Sequence, residues 1–139
     1  MTSEELVFPS EEWLQRYVEE LNKSKNYEEA AKNWEGDFIF EVEPDGSVIK
    51  EPVRLYLDLW HGKCRAARIA GPDDTAEFLY SGKYENWKRL LAGEIHPIKG
   101  IMQRKFKLKG SYAKVMRATK AALELVATAQ KVPTKFLDE

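Results

Sequence analysis

The chain has 139 residues, which at roughly 100–200 residues per domain predicts one unit over 1–139 with its core at about 8–131. Hydrophobic residues make up 43% and charged residues 32%, a mix that excludes an intrinsically disordered chain and a collagen-like or coiled-coil fibre. A single cysteine excludes an intramolecular disulfide framework, and no apolar run reaches the roughly 18–20 residues of a membrane helix.

Ser10 can cap a helix through roughly Lys25, with Trp13, Leu14, Tyr17, Val18 and Leu21 at helical spacing and glutamates on the remaining surface. Asn26 followed by Glu29 predicts a short second helix carrying Tyr27, Ala30, Ala31 and Trp34, with Gly36 as its stop. Alternation then predicts strands at Asp37 to Val42 and Val53 to Trp60, with a turn at Pro44-Asp45-Gly46 between them; His61-Gly62 suits a tight hairpin into a strand at Lys63 to Ala70, and Gly71 to Asp74 breaks the chain before a strand at Ala76 to Tyr80. Such short connections predict four strands in meander order with antiparallel pairing. Helical spacing returns at Tyr84, Trp87, Leu90 and Leu91 and stops at Gly93, and Pro97 opens a helical turn with Ile98, Ile101 and Met102. A fifth strand follows at Lys105 to Lys109, with Phe106 and Leu108 inward. Ser111 caps a closing helix to about Lys131, whose inward stripe is read as Tyr112, Val115, Met116, Thr119, Leu123 and Val126. The simplest packing of these elements is an α+β fold, with helices on one face of a five-stranded, mainly antiparallel sheet.

The net charge of −1 conceals an uneven distribution. Residues 1–51 carry 14 acidic and 5 basic side chains, whereas Ile95 to Leu123 carries 8 basic side chains and no Asp or Glu. A one-sign stretch attracts anions such as phosphate, a lipid headgroup or nucleic acid, although charge runs also serve as plain solvated faces. Nucleic acid fits poorly. If the lysines of Lys105 to Lys109 face outward, Phe106 points inward and no stacking platform remains beside them.

Covalent chemistry lacks its usual signatures. His61, His96 and Cys64 stand outside any nucleophile, triad or phosphate-loop motif, so no catalytic residue, metal ligand set or cofactor is expected. His61 fits a turn, His96 a helix start before Pro97, and Cys64 a small buried apolar position on a strand. The acidic start Met1-Thr2-Ser3-Glu4-Glu5 lacks an apolar leader core, and Leu137-Asp138-Glu139 is not a Ser-Lys-Leu address, which predicts a cytoplasmic location.

The stretch Trp87 to Gly110 carries a resemblance. Leu90-Leu91-Ala92-Gly93 closes a helix, Pro97 opens a short helical segment, and Lys105-Phe106-Lys107-Leu108-Lys109-Gly110 leads into a final helix. It resembles the sterol carrier protein type 2-like (SCP-2-like) domain family, and the order of elements before it is similar too. Arg104 stands where the family commonly has Gly, and Ser111 where it commonly has Asp. The resemblance implies an apolar tunnel between sheet and helices that takes up a fatty acyl chain, acyl-CoA, sterol or isoprenoid-type lipid without catalysis. It implies tunnel walls at Trp87, Leu90, Leu91, Ile98, Met102, Phe106, Leu108, Tyr112, Val115, Met116, Thr119 and Leu123, with Gln103 offering a polar contact to a ligand head. Lys99, Arg104, Lys105 and Lys107 would attract an anionic headgroup or, transiently, an anionic membrane surface. Two rival readings stay open: a solidly packed interaction module, such as a homodimer joined through Leu125, Ala118 and Ala121, and an accessory domain of a lipid-modifying enzyme.

Overall fold

The alternation of Phe38, Phe40 and Val42 with Ile39 and Glu41 builds the central strand of the fold. The computed structural model describes residues 5–46 and 48–137. Its elements in chain order are β1 (Leu6–Phe8), α1 (Glu11–Lys23), α2 (Lys25–Ala30), β2 (Glu35–Glu43), β3 (Val53–Trp60), β4 (Lys63–Ala70) and β5 (Phe78–Lys83). They continue with α3 (Tyr84–Leu91), α4 (Pro97–Met102), β6 (Phe106–Lys109), α5 (Tyr112–Arg117), α6 (Thr119–Ala129) and β7 (Thr134–Phe136).

The main sheet has five strands in the order β4-β3-β2-β5-β6, with β2 and β5 parallel and the other pairs antiparallel. The predicted meander therefore holds for β2, β3 and β4 and fails at β5, which crosses to the far side of β2. Only residues 71–77 make that crossing, fewer than the dozen or so a parallel connection usually takes. Two outward-facing side chains hold it in place. Arg54 Nη1 donates to the carbonyls of Gly71 (2.5 Å) and Asp74 (3.0 Å), and Asp37 Oδ1 accepts the Glu77 N–H at 2.7 Å.

Leu55, Leu57, Leu59, Phe78 and Phe106 are buried on the helix-covered face of the sheet, joined by Trp13, Leu14, Tyr17 and Leu21 from α1 and by Trp87 and Leu90 from α3. Rings meet across this layer: Phe38 stacks on Phe78 with centroids 5.0 Å apart, and Tyr80 on Phe106 at 4.7 Å. The latter pair needs Gly82, where a Cβ would stand 2.5 Å from the Phe106 ring.

Local capping follows the sequence closely. The Ser10, Ser24 and Ser111 hydroxyls accept backbone N–H groups at the starts of α1, α2 and α5. The cap of α2 is thus Ser24 rather than Asn26, and Gly36 lies inside β2 instead of stopping a helix. The closing helix is two helices, not one. At Ala118 the backbone leaves helical geometry (φ −111°, ψ 30°), and the Thr119 hydroxyl donates to the Met116 carbonyl at 2.7 Å. A further pairing had no sequence signal: β1 and β7 form a two-stranded parallel sheet, Leu6 opposite Thr134 and Phe8 opposite Phe136.

Candidate functional site: an apolar cavity under the closing helices

The inward faces of sheet and helices do not meet everywhere. Between them lies a cavity of about 70 Å³. Its floor is Phe38 and Phe40 of β2, Leu55 of β3, Tyr80 of β5 and Leu108 of β6. One side is Trp87, Leu90 and Leu91 of α3 with Pro97, Ile98 and Ile101 of α4. The roof is Val115 of α5 with Ala122, Leu125, Val126 and Ala129 of α6, and Phe8, Trp13 and Tyr17 close one end.

The four ring polar groups in this wall are all engaged. Tyr17 Oη donates to the Leu125 carbonyl and Tyr80 Oη to the Pro97 carbonyl, each at 2.8 Å. Trp87 Nε1 donates to the Glu41 carbonyl at 3.0 Å, and Trp13 Nε1 to Thr134 Oγ1 at 2.8 Å. Burial pushes the Tyr17 and Tyr80 hydroxyls well above the usual phenol range, so both stay neutral donors. The wall therefore presents hydrocarbon and no charge, and its ring N–H and O–H donors are all in use.

A second cavity of about 20 Å³ lies beside the first, lined by Tyr27, Trp34, Leu59, Ala118 and Ala121 together with Phe38, Val115, Ala122 and Leu125. Those last four residues line both spaces and form the partition between them.

Of the residues the sequence points to, Trp87, Leu90, Leu91, Ile98, Leu108 and Val115 line the larger cavity. Phe106 is buried, 2% exposed, behind the Tyr80 ring rather than on the wall. Met102, Tyr112, Met116 and Leu123 are exposed on the surface, Met102 by 70%, and Thr119 is half-buried outside both linings. Of the predicted inward stripe, Val115 and Val126 line the cavity, and the rest of that side is Ala118, Ala121, Ala122, Leu125 and Ala129. Small side chains on this side let α6 pack closely on α1, α2 and α4, and the larger ones turn outward. Leu125, Ala118 and Ala121, read as an outward contact, therefore face inward.

Gln103 caps the end of α4 through its backbone N–H and is exposed. Lys99 and Arg104 are exposed on and just after α4, and Arg104 takes a left-handed backbone (φ 62°) at the position where the family commonly has Gly. Lys105 is half-buried. Lys107 lies opposite Ser81 on the outer face of the sheet, away from the cavity. Sequence reasoning missed Phe8, Trp13, Tyr17, Phe38, Phe40 and Tyr80 as wall residues. The i, i+4 pairing of Trp13 with Tyr17 marks an aromatic stripe, yet any core helix carries the same mark.

The remaining polar candidates serve local structure. His96 Nδ1 accepts the N–H groups of Ile98 and Lys99 at the start of α4. His61 pairs with Glu35 at 2.6 Å in the β3–β4 turn. Among the described residues no three His, Cys, Asp or Glu gather as a metal site, and no helix is long and apolar enough to cross a membrane.

An α+β scaffold with a hydrocarbon-lined cavity and no polar site within it defines a binding fold built around burial. The sequence model of the SCP-2 sterol transfer family matches residues 14–123, and the chain belongs to that family. It is similar to a crystal structure of sterol carrier protein 2, with 34% identity over 88% of this chain and 97% of the other and a TM-score of 0.81. It is similar as well to a conserved hypothetical protein from Thermus thermophilus, with 34% identity, 96% and 94% coverage and a TM-score of 0.84. The apo sterol carrier protein 2 of Yarrowia lipolytica shares the fold at 19% identity, 85% and 89% coverage and a TM-score of 0.58. No curated protein sequence matches the chain.

Proposed function

We propose that the chain is a lipid carrier that holds the hydrocarbon part of its guest in the cavity between the sheet and α3 to α6, and leaves the polar head outside. The observation that carries this reading is the wall itself: nineteen lining residues, all apolar or with their ring polar groups already bonded. Burial then does the binding, at roughly 0.8 kcal/mol for each CH₂ removed from water. A fatty acyl, acyl-CoA, sterol or isoprenoid tail all meet that requirement, and no covalent step is needed. Lys99 and Arg104 lie on the α4 side, where a carboxylate or phosphate head would find them.

The two cavities are separate spaces, so a chain that occupies both requires the walls between them to part. Phe38, Val115, Ala122 and Leu125 separate the two cavities, and their displacement would join both into the tunnel that the family resemblance implies. The break at Ala118 gives the roof a place to bend.

Delipidated protein should take up a long-chain fatty acid or acyl-CoA with micromolar or tighter affinity, with a change in the fluorescence of Trp13 and Trp87. Ala122→Leu fills space at the partition and displaces about two methylenes of guest, which weakens uptake about tenfold while leaving the fold intact. Native mass spectrometry of protein purified without added lipid identifies whatever co-purifies. No uptake of any acyl, acyl-CoA, sterol or isoprenoid ligand would sink the reading.

A further inference from the structure

The two halves of the roof are held very differently. α6 buries Ala121, Leu125, Thr128 and Ala129 and packs on α1, α2 and α4. α5 buries Val115 alone; Tyr112, Ala113, Met116 and Arg117 are exposed and Lys114 is half-buried. Val115 lines both cavities, so any outward movement of α5 uncovers both at once. The helix is also bounded at each end by a backbone that permits such movement. Gly110 precedes it in a conformation that side-chain-bearing residues rarely adopt (φ 119°), packed where a Cβ would run into the Phe78 ring, and the non-helical Ala118 follows it.

Against this light apolar anchoring stands one concentrated polar contact. Lys114 Nζ donates to the Glu35 carbonyl at the start of β2 at 2.6 Å and pairs with Glu77 Oε2, just before β5, at 2.8 Å. The same ammonium lies 5.0 Å from the centre of the Trp34 ring, which lines the smaller cavity, and 5.5 Å from that of Phe78. A surface ion pair by itself contributes little. This one spans from the roof to the sheet beside the smaller cavity, and it is joined by a charged hydrogen bond to the backbone and by two ring faces.

We infer that α5 is a hinged lid over the entrance to the cavities, turning on Gly110 and Ala118, and that Lys114 is the latch that holds it shut on Glu35 and Glu77. The inference rests on the lipid-carrier reading for its purpose and adds the route: the guest passes beneath α5, displacing Val115, and reaches the smaller cavity before the larger. Because the latch is closed with the site empty or filled, it sets the rates of entry and exit and leaves their ratio nearly unchanged. Lys114 is thus a positioning residue for the roof and makes no contact with the guest.

Release of oleic acid from the loaded full chain to excess methyl-β-cyclodextrin, followed by tryptophan fluorescence, tests this. Lys114→Met keeps an apolar stem over Trp34 and should speed release and uptake alike by about fivefold, with affinity kept within about twofold. Glu77→Gln should act in the same direction, and the double variant should gain little beyond Lys114→Met, as expected of two partners in one contact. Raising NaCl from about 0.05 M to about 0.5 M should speed release from the wild type and leave Lys114→Met nearly unaffected, since the exposed pair is screened. A fall in melting temperature with unchanged release rates would make Lys114 purely structural and overturn the inference, as would weaker affinity with unchanged rates. The salt response of the wild type decides the matter if a variant folds poorly; release insensitive to salt would count against the latch. Amide exchange separates this inference from the carrier reading. Lys114→Met should speed exchange at Val115 and Ala118, whose N–H groups bond to Ser111 and Val115, by about fivefold and leave Leu125 and Ala129 as they are. That result without uptake of any guest would sink the carrier reading and leave the lid standing, whereas equal exchange in both helices would overturn the lid.

Discussion

Cys64 shows how much one buried side chain can settle. It is 5% exposed on the edge strand β4, where Asn22 clamps its backbone: the Cys64 N–H donates to Asn22 Oδ1 at 2.8 Å, and Asn22 Nδ2 donates to the Cys64 carbonyl at 3.1 Å. Burial pushes the thiol from its ordinary 9.0 up to about 11, with Asp58 nearby adding to the rise. A pKa that is higher folded than unfolded means that the native state favours the protonated form. The corresponding stability is fully present below pH 9 and is lost as pH rises towards 11. The buried hydroxyls of Tyr17, Tyr27 and Tyr80 are raised for the same reason and act in the same direction. Melting temperature should therefore fall from pH 9 to 11, and fall less steeply in Cys64→Ala. Iodoacetamide should label Cys64 at about pH 8 only as fast as the protein unfolds; rapid labelling of native protein would contradict this placement.

Elements differ in how openly the sequence announces them. Val53–Trp60 forms as its alternation predicts, Lys63–Ala70 as the His61-Gly62 hairpin spacing predicts, and Ser10, His96 and Ser111 cap the helices their positions suggest, because these signals act within a few residues. The β4 to β5 crossing was not legible, since Arg54 and Asp37 fix it from strands already laid down. The closing segment misled in a different way. Tyr112, Met116 and Leu123 make the more hydrophobic stripe, yet the alanine-rich stripe faces inward, where α6 packs closely on α1, α2 and α4. Six of the expected residues, from α3, α4, β6 and α5, line the cavity. The rest of the wall was hidden, because helical or strand periodicity marks a buried face and does not distinguish a packed core from a cavity wall. Leu125 is the partition element to test. Leu125→Ala should cost about 2–5 kcal/mol in denaturant melts, as buried Leu truncations do, and should enlarge the joined space so that bulkier guests gain relative to short acyl chains. Unchanged preference would argue that the partition does not limit the guest.

At the scale of the whole molecule, charge and hollowness are arranged on different faces. The outer face of the sheet is tied by Arg54 to Glu41 at 3.1 Å, Arg65 to Asp58 at 3.1 Å and Arg68 to Asp74 at 2.7 Å, with the Arg68 guanidinium over the Tyr56 ring. The carboxyl of Asp74 is held below the ordinary range by Arg68 and the Gly71 N–H, so this network stays paired at neutral pH. The outward side of α4 to α6 leaves Lys99, Arg104, Arg117 and Lys120 without an acidic partner among the described residues, above a cavity with no polar lining. Such a division pairs the charges of the sheet face with one another and leaves those of α4 to α6 exposed.

The short parallel sheet of β1 and β7 closes the cavity end at Phe8 and ties Leu137 back through its N–H to Tyr84 Oη at 2.8 Å. Its register sets Leu6 beside Thr134, so the first and last described segments of the polypeptide are neighbours in space. A linker of roughly six residues would span the offset between parallel strands at about 3.3 Å per residue. The cyclised order, reopened at the exposed Asp45-Gly46 turn, should fold to the same secondary structure and melt within a few degrees of the parent. The backbone could thus be rewired without rebuilding the chamber.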